Sequence, residues 1–245
     1  MKRDNTKLKE RQQSILDAIV REYVRTARPV ASRDLVRARN LGVESATIRN
    51  EMRELDERGF LEQPYTSSGR VPTDRGYRYF VDHLLTDVIL ADDEARSLRN
   101  AFAIRHADEF IQEFARRVSK IAGAFAAAGM ESEHRFSASG FSTMLEEPEF
   151  ADPEYARAFG RLTDFLDIEI RRVLPRAREE GRMWEGKMWI GAENPWRPAR
   201  SYTMTIVPWE HPWGFKGFVS IISPRRANYP KQKAIINLIR MAYDA

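Results

Sequence analysis

The chain has 245 residues, of which 42% are hydrophobic and 31% charged, and it contains no cysteine. This composition is typical of folded globular proteins and excludes disordered and collagen-like chains. The lack of cysteine excludes disulfides, thiolate metal sites and cysteine nucleophiles. Because the sequence has neither an apolar run of about 18 residues nor an apolar leader, we expect a cytoplasmic protein without a membrane anchor.

The net charge of +4 is confined to the first third of the chain. Residues 1–85 carry 17 Lys and Arg against 13 Asp and Glu, whereas residues 86–245 carry 23 of each. Fourteen of the 17 cations are Arg, whose planar group binds phosphate and guanine with two hydrogen bonds. This distribution favours a nucleic-acid partner for the first segment.

Three helices and a hairpin are predicted in that segment. Helical spacing of apolar residues predicts helices over residues 6–25, 32–39 and 45–58, the last two capped by Ser32 and Ser45. In the second helix Leu35 and Val36 are expected to face inward. Strands are predicted over residues 60–63 and 70–72, and a fourth helix is expected after Thr73.

Turns and inward faces complete this prediction. A tight turn is expected over residues 40–43, and Gly59 stands where a left-handed residue ends a helix. The third helix carries its apolar stripe at Ile48, Met52 and Leu55, at spacings of four and three residues.

The rest of the chain is predicted to be helical up to about residue 181 and to consist mainly of strands after it. Residues 86–107 are expected to form a helical connector, and residues 108–129 an amphipathic helix that becomes alanine-rich near its end. Another helix should begin at Asp152-Pro153 and end near Gly181. β-Branched and aromatic residues then predict three strands over 187–192, 201–207 and 215–222, which we expect to form an antiparallel sheet, before a last helix over 230–243.

The element order of the first segment is that of a winged helix-turn-helix. In such a unit one helix projects its outer face into the major groove and the hairpin reaches neighbouring phosphates. The third helix suits this role, because Arg can bind guanine, Asn adenine, and a Thr methyl thymine. The predicted DNA-contacting residues are Ser32, Arg33, Ser45, Ala46, Thr47, Arg49, Asn50, Arg53, Thr66, Ser67, Ser68, Gly69 and Arg70. A solvated charged face and an ordinary turn would give the same pattern.

Residues 8–85 resemble the N-terminal domain of the bacterial heat-inducible transcription repressor family, HrcA. The matching strings include 8–12 (LKERQ), 46–52 (ATIRNEM), 59–64 (GFLEQP), 66–73 (TSSGRVPT) and 81–85 (VDHLL). Strings at 140–145 (GFSTML), 190–194 (IGAEN) and 217–220 (GFVS) are similar to the family's second domain, which is GAF-like.

The resemblance implies an α+β protein with a winged helix-turn-helix over residues 1–85, the connector, and a reduced GAF-like sensor domain over 108–245. It further implies a dimeric repressor of chaperone operons that binds an inverted-repeat operator, with a chaperonin as its modulator. Only 54 residues separate Leu85 from Gly140, and they are expected to be helical. The family carries a larger inserted dimerisation domain there, so we expect that domain to be lost or reduced in this chain.

Alternatives remain open at this point. All five Trp lie between residues 184 and 213; they pack a small sheet or, if Trp196, Trp209 and Trp213 lie in loops, line a ligand or partner site. A ligand-responsive regulator is therefore the second hypothesis. An enzyme acting on nucleic acid ranks last, because the sequence offers no cluster of acidic or His residues around the C-terminal strands. The four His lack metal-ligand spacing and no nucleotide-binding or nucleophile motif occurs, so no cofactor or metal is expected.

Overall fold

A computed structural model describes residues 7–38, 44–86, 88–131, 135–179 and 186–241. The chain divides into two compact units, Met1–Thr86 and Asp87–Ala245. Helices and antiparallel sheets occur together, so the fold class is α+β. Within the described ranges, none of the helices is both long and apolar enough to cross a membrane.

The first unit contains four helices and a short hairpin. The helices are α1 (Glu10–Thr26), α2 (Ser32–Ala38), α3 (Ser45–Glu57) and α4 (Asp74–Tyr79), the last continuing as a π-helical turn over Phe80–Leu84; the strands are β1 (Leu61–Glu62) and β2 (Val71–Pro72). These elements match the predicted order. Thr73 caps α4, since its hydroxyl accepts a hydrogen bond from the Gly76 amide at 3.1 Å.

The capping and burial predictions for α2 and α3 need correction. Ser32 and Ser45 are the first residues of their helices, and the capping position of α3 is Glu44, which makes no side-chain cap bond. Leu35 is buried as predicted, but Val36 is 43% exposed, because a seven-residue helix turns only one narrow face toward the core. The predicted turn at 40–43 and the helix end at Arg39 lie outside the described residues.

The second unit is built on a five-stranded antiparallel sheet in the order β4-β3-β7-β6-β5. Its strands are β3 (Phe125–Met130), β4 (Phe136–Ser139), β5 (Lys187–Ile190), β6 (Tyr202–Glu210) and β7 (Lys216–Pro224). Its helices are α5 (Asp92–Ala101), α6 (Ala107–Ala122), α7 (Phe141–Leu145), α8 (Pro153–Glu179) and α9 (Tyr229–Met241). The start of α8 and the three later strands are as predicted, whereas the proposed helix end at Gly181 is outside the described ranges.

The alanine-rich segment is a strand rather than the end of a helix. α6 ends at Gly123, whose φ of +61° suits glycine, and β3 then runs through the centre of the sheet. Ala126 and Ala128 belong to the core on one sheet face, while Phe125 and Ala127 belong to the core on the other. The expectation that residues 86–139 are all helical is therefore wrong.

The expected connector lies in the folded core of the second unit. Leu98 and Ala101 of α5 are fully buried in the same cluster as α6 and α9. An ion pair between Lys231 and Glu94 also joins α9 to α5. The apolar face of α5 thus contributes to the second unit rather than linking two units.

The β6–β7 connection buries a histidine among aromatic rings. His211 is 1% exposed, its ring stacks on Phe215 at 4.1 Å between centroids, and Phe110 lies 4.6 Å away. Its Nδ1 accepts a hydrogen bond from the Trp213 amide at 3.3 Å. Burial lowers the pKa of His211 from its ordinary value of 6.5, because the rings cannot solvate a charged imidazole.

His211 should make the stability of the second unit fall in mild acid. A folded-state pKa below 6.5 means that its contribution is complete above pH 6.5 and is lost as the pH falls toward the folded-state pKa. In urea denaturation, the free energy of unfolding should therefore fall less between pH 8 and pH 5 for His211→Phe than for the wild type. His106→Phe, at an exposed site, is the control and should behave as the wild type. Equal pH dependence of all three proteins would contradict this assignment.

Candidate nucleic-acid interface

One face of α3 packs inside the first unit and the opposite face is open to solvent. Ile48, Met52 and Leu55 are at most 5% exposed and hold the helix against the core. Arg49 and Arg53 are exposed on the other side, where helical periodicity places them four residues apart. Ala46 and Asn50 are exposed as well; Thr47 is half-buried.

Two glutamates of α3 are engaged away from this open face. Glu51 lies 3.8 Å from the Arg11 guanidinium, and the Glu54 carboxylate accepts a hydrogen bond from the Gln12 amide at 2.9 Å. Both partners belong to α1. Arg49 forms no ion pair with any residue that the structure describes. The outer face of α3 therefore presents Arg49, an amide, and Arg53 paired with Glu57 at 3.9 Å.

The β1–β2 loop is fixed beside α3 by its second strand. Val30 and Arg70 exchange two backbone hydrogen bonds of 2.9 Å, which tie the loop to the residues just before α2. The Arg70 guanidinium lies 2.7 Å from the Asp56 carboxylate at the end of α3. Arg70 thus joins the loop to α3, and contact with a phosphate would compete with this ion pair.

Internal hydrogen bonds shape the loop tip. The Ser68 amide donates to the Tyr65 carbonyl at 3.0 Å, and the Gln63 side chain donates to the Ser68 carbonyl at 3.1 Å. Ser67 has a φ of +67°, a conformation that costs a non-glycine residue about 1–2 kcal/mol. The loop is therefore a closed turn whose outer residues, Thr66 and Ser67, are exposed.

A groove of about 450 Å³ lies between the start of α2, the outer face of α3 and the loop. It is lined by Ala31, Ser32, Arg33, Arg49, Met52, Gln63, Ser67, Ser68, Gly69 and Arg70. Seven of the thirteen predicted DNA-contacting residues line this one groove. The other six are Ser45, whose hydroxyl lies 3.2 Å from that of Ser32, and Ala46, Thr47, Asn50, Arg53 and Thr66.

Sequence reasoning missed two residues that shape this groove. Gln63 holds the loop tip, and Asp56 holds Arg70. Neither has a distinctive sequence signal, because Gln and Asp at such positions are common on exposed surfaces. Their roles follow from contacts between different elements, which local sequence patterns do not specify.

The tryptophans that the structure describes do not converge on one site. Trp209 is fully buried within β6, so the loop position that the ligand-site hypothesis required does not apply to it, and Trp189 is 8% exposed in β5. Trp196 is half-buried beside α8, and Trp213 is 57% exposed beneath the Arg105 guanidinium. Trp184 lies outside the described residues. Core packing accounts for the two in the sheet.

A family model for the HrcA protein C terminal domain matches residues 79–232, which is more than half of the chain. The chain belongs to the HrcA family. The family predicted from the sequence strings is thereby confirmed. The match covers most of the second unit and the last residues of the first.

Curated HrcA relatives share part of their length with this chain. The heat-inducible transcription repressor HrcA of Brevibacillus brevis is 46% identical over 116 residues, which are 46% of this chain and 34% of the relative. The repressor of the same name from Symbiobacterium thermophilum is 47% identical over 113 residues, 45% of this chain and 33% of the relative. Each match thus spans about a third of the curated relative.

A solved structure shows the same fold. A crystal structure of a hypothetical protein has a TM-score of 0.69 and covers 96% of this chain and 97% of its own, at 15% sequence identity. At that identity the likeness concerns the fold alone.

Gly69 should be required for the groove. A Cβ there would lie 2.4 Å from the carbonyl carbon and oxygen of Val30, which are backbone atoms that cannot rotate away. Gly69→Ala should therefore lower the free energy of unfolding of the first unit by about 1–3 kcal/mol, measured by urea denaturation. Gly160→Ala in α8 is the control, because its added Cβ meets no atom within 4 Å. Unchanged stability in Gly69→Ala would mean that the loop does not lie against Val30.

Proposed function

We propose that this HrcA-family chain is a sequence-specific DNA-binding repressor of heat-shock genes. Its first unit acts as a winged helix-turn-helix in which α3 is the recognition helix and the β1–β2 loop is the wing. Its second unit acts as a reduced GAF-like domain. The curated relatives, which are named heat-inducible transcription repressors, support the regulatory role.

The observation that carries this proposal is the open face of α3 beside the groove. Arg49, Asn50 and Arg53 are exposed on one side of a helix whose other side is buried. A helix in this arrangement fits the major groove of B-DNA, which is about 12 Å wide. Its exposed side chains are of the types that hydrogen-bond guanine and adenine edges.

The groove supplies a second set of contacts. Arg33 at the start of α2 and the hydroxyls of Ser67 and Ser68 are suited to phosphate and sugar oxygens. These contacts would set the register of the protein on the duplex without reading bases. Because phosphate contacts release counterions, operator affinity should fall steeply with salt concentration.

Repression in this proposal requires no covalent chemistry. Two copies bind an inverted-repeat operator as a symmetric dimer, and the bound protein blocks a promoter in the bacterial cytoplasm. The resemblance adds a chaperonin as a partner that keeps the repressor active. Heat stress would then relieve repression by occupying that chaperonin.

Removal of either exposed arginine should weaken operator binding. Arg49→Ala or Arg53→Ala should each cost about 1–3 kcal/mol of binding free energy if the guanidinium holds a guanine through two hydrogen bonds. Fluorescence anisotropy with a labelled inverted-repeat duplex measures this cost, with a random duplex beside it. The loss should be larger on the operator, because a base contact carries sequence information and a phosphate contact does not.

Arg25→Ala is the matched control for these variants. Arg25 is equally exposed, at the end of α1, and pairs with Glu22 rather than facing the groove. It should retain operator affinity. Full affinity in both α3 variants, together with a loss in Arg25→Ala, would transfer the interface from α3 to α1.

A further inference from the structure

α8 carries exposed apolar side chains on the face that points away from the sheet. Phe159, Leu162 and Leu166 are buried against the sheet, whereas Phe165 is 56% and Ile168 61% exposed. Within the described residues, nine large apolar side chains are exposed, and four of them lie on α7 and α8. Such a concentration on one surface is typical of a protein contact.

Neighbouring elements extend this surface. An apolar groove of about 310 Å³ lies beside Phe165 and is lined by Arg161, Leu162, Phe165, Pro195, Trp196, Arg197 and Pro198. On the other side, Phe141 of α7 is 46% exposed, and its ring lies 6.0 Å from that of Phe159. We call the exposed residues 141, 145, 161, 164, 165 and 168 the α8 surface.

The α8 surface carries one cation and one anion, three residues apart on the same helix. Arg161 and Asp164 are both exposed, and neither forms an ion pair with a residue that the structure describes. If a two-fold axis passes beside the exposed face of α8, level with the peptide bond between Leu162 and Thr163, the two copies of α8 run antiparallel. Arg161 then comes level with Asp164 of the partner subunit, and the symmetry repeats this pair.

We propose that the α8 surface is the homodimer interface of this chain. The occupant is a second copy, because the same face supplies both the cation and the anion that the symmetric arrangement needs. Phe165 and Ile168 lie next to these charges and become buried in the dimer. Antiparallel packing of two α8 helices would give a two-fold symmetric dimer whose contacts come from the second unit alone.

This inference rests on the proposed function for its biological meaning, since an inverted repeat is read by two copies. The interface itself is independent of DNA and can be measured without it. An apolar face flanked by ion pairs is the composition expected of a stable homodimer interface.

Charge reversal tests the interface. Arg161→Asp should raise the dimer dissociation constant about 10- to 100-fold in sedimentation experiments on the full chain, because like charges face each other twice. Asp164→Arg should do the same. The double variant R161D/D164R should dimerise as the wild type does, since the pair is restored with its sign reversed.

Mixing the two single variants gives the sharpest result. One copy then carries two acids and the other two arginines, so both pairs are attractive in the mixed dimer and repulsive in each pure one. An equimolar mixture should form dimers where each variant alone is monomeric. Arg96→Asp, at an exposed position of α5, is the control and should leave dimerisation unchanged.

Operator binding separates failure of this interface from failure of the proposed function. Monomeric R161D should bind a single half-site with the affinity of the wild-type monomer. It should lack the higher affinity that the wild-type dimer has for a full inverted repeat. A monomeric wild type, an unimpaired R161D dimer, or a mixture that stays monomeric would overturn the α8 interface. A wild-type dimer without affinity for any duplex would contradict only the DNA-binding function.

Discussion

Two backbone hydrogen bonds between Val30 and Arg70 hold together the surface on which the functional argument depends. They fix the β1–β2 loop against the residues before α2, and Gly69 permits this approach because it has no side chain. The Arg70–Asp56 ion pair then ties the same loop to the end of α3. Three segments distant in sequence thereby enclose one groove. Without the bridge, only the Arg70–Asp56 ion pair and the short β1–β2 hairpin would position the loop relative to α3.

Burial on one side of α3 leaves the other side free for a ligand. The helix contributes Ile48, Met52 and Leu55 to the core, and two of its glutamates, Glu51 and Glu54, engage partners on α1. In the proposed function, stability and recognition therefore depend on different faces of the same helix. Substitution of the exposed arginines should change binding with little effect on folding, because exposed side chains contribute little to stability.

The first unit was largely predictable from the sequence because its signals are local. Helical spacing gave α1 and α3, Gly59 adopts the left-handed conformation expected at a helix end, and Thr73 caps α4. Individual caps were less predictable, since α3 begins without a side-chain cap. The contacts of Gln63 and Asp56 were not predictable, because they join elements whose relative positions no local pattern specifies.

The second unit shows where local signals mislead. Alanine has the highest helix propensity, yet residues 125–130 form a central strand, because α6 ends at Gly123 and the sheet buries the segment on both faces. Small side chains suit that position between packed layers, and tertiary burial outweighs propensity. Gly123 was the one available signal, as a left-handed residue after a helix.

The central claim is that α3 and the β1–β2 loop together contact DNA. Amide hydrogen exchange of the full chain, with and without an inverted-repeat duplex, tests it directly. The duplex should slow exchange in the first turn of α3 and at residues 66–70, and leave α5 and α9 unaffected. Binding that slows exchange elsewhere and leaves both of these segments unchanged would contradict the account.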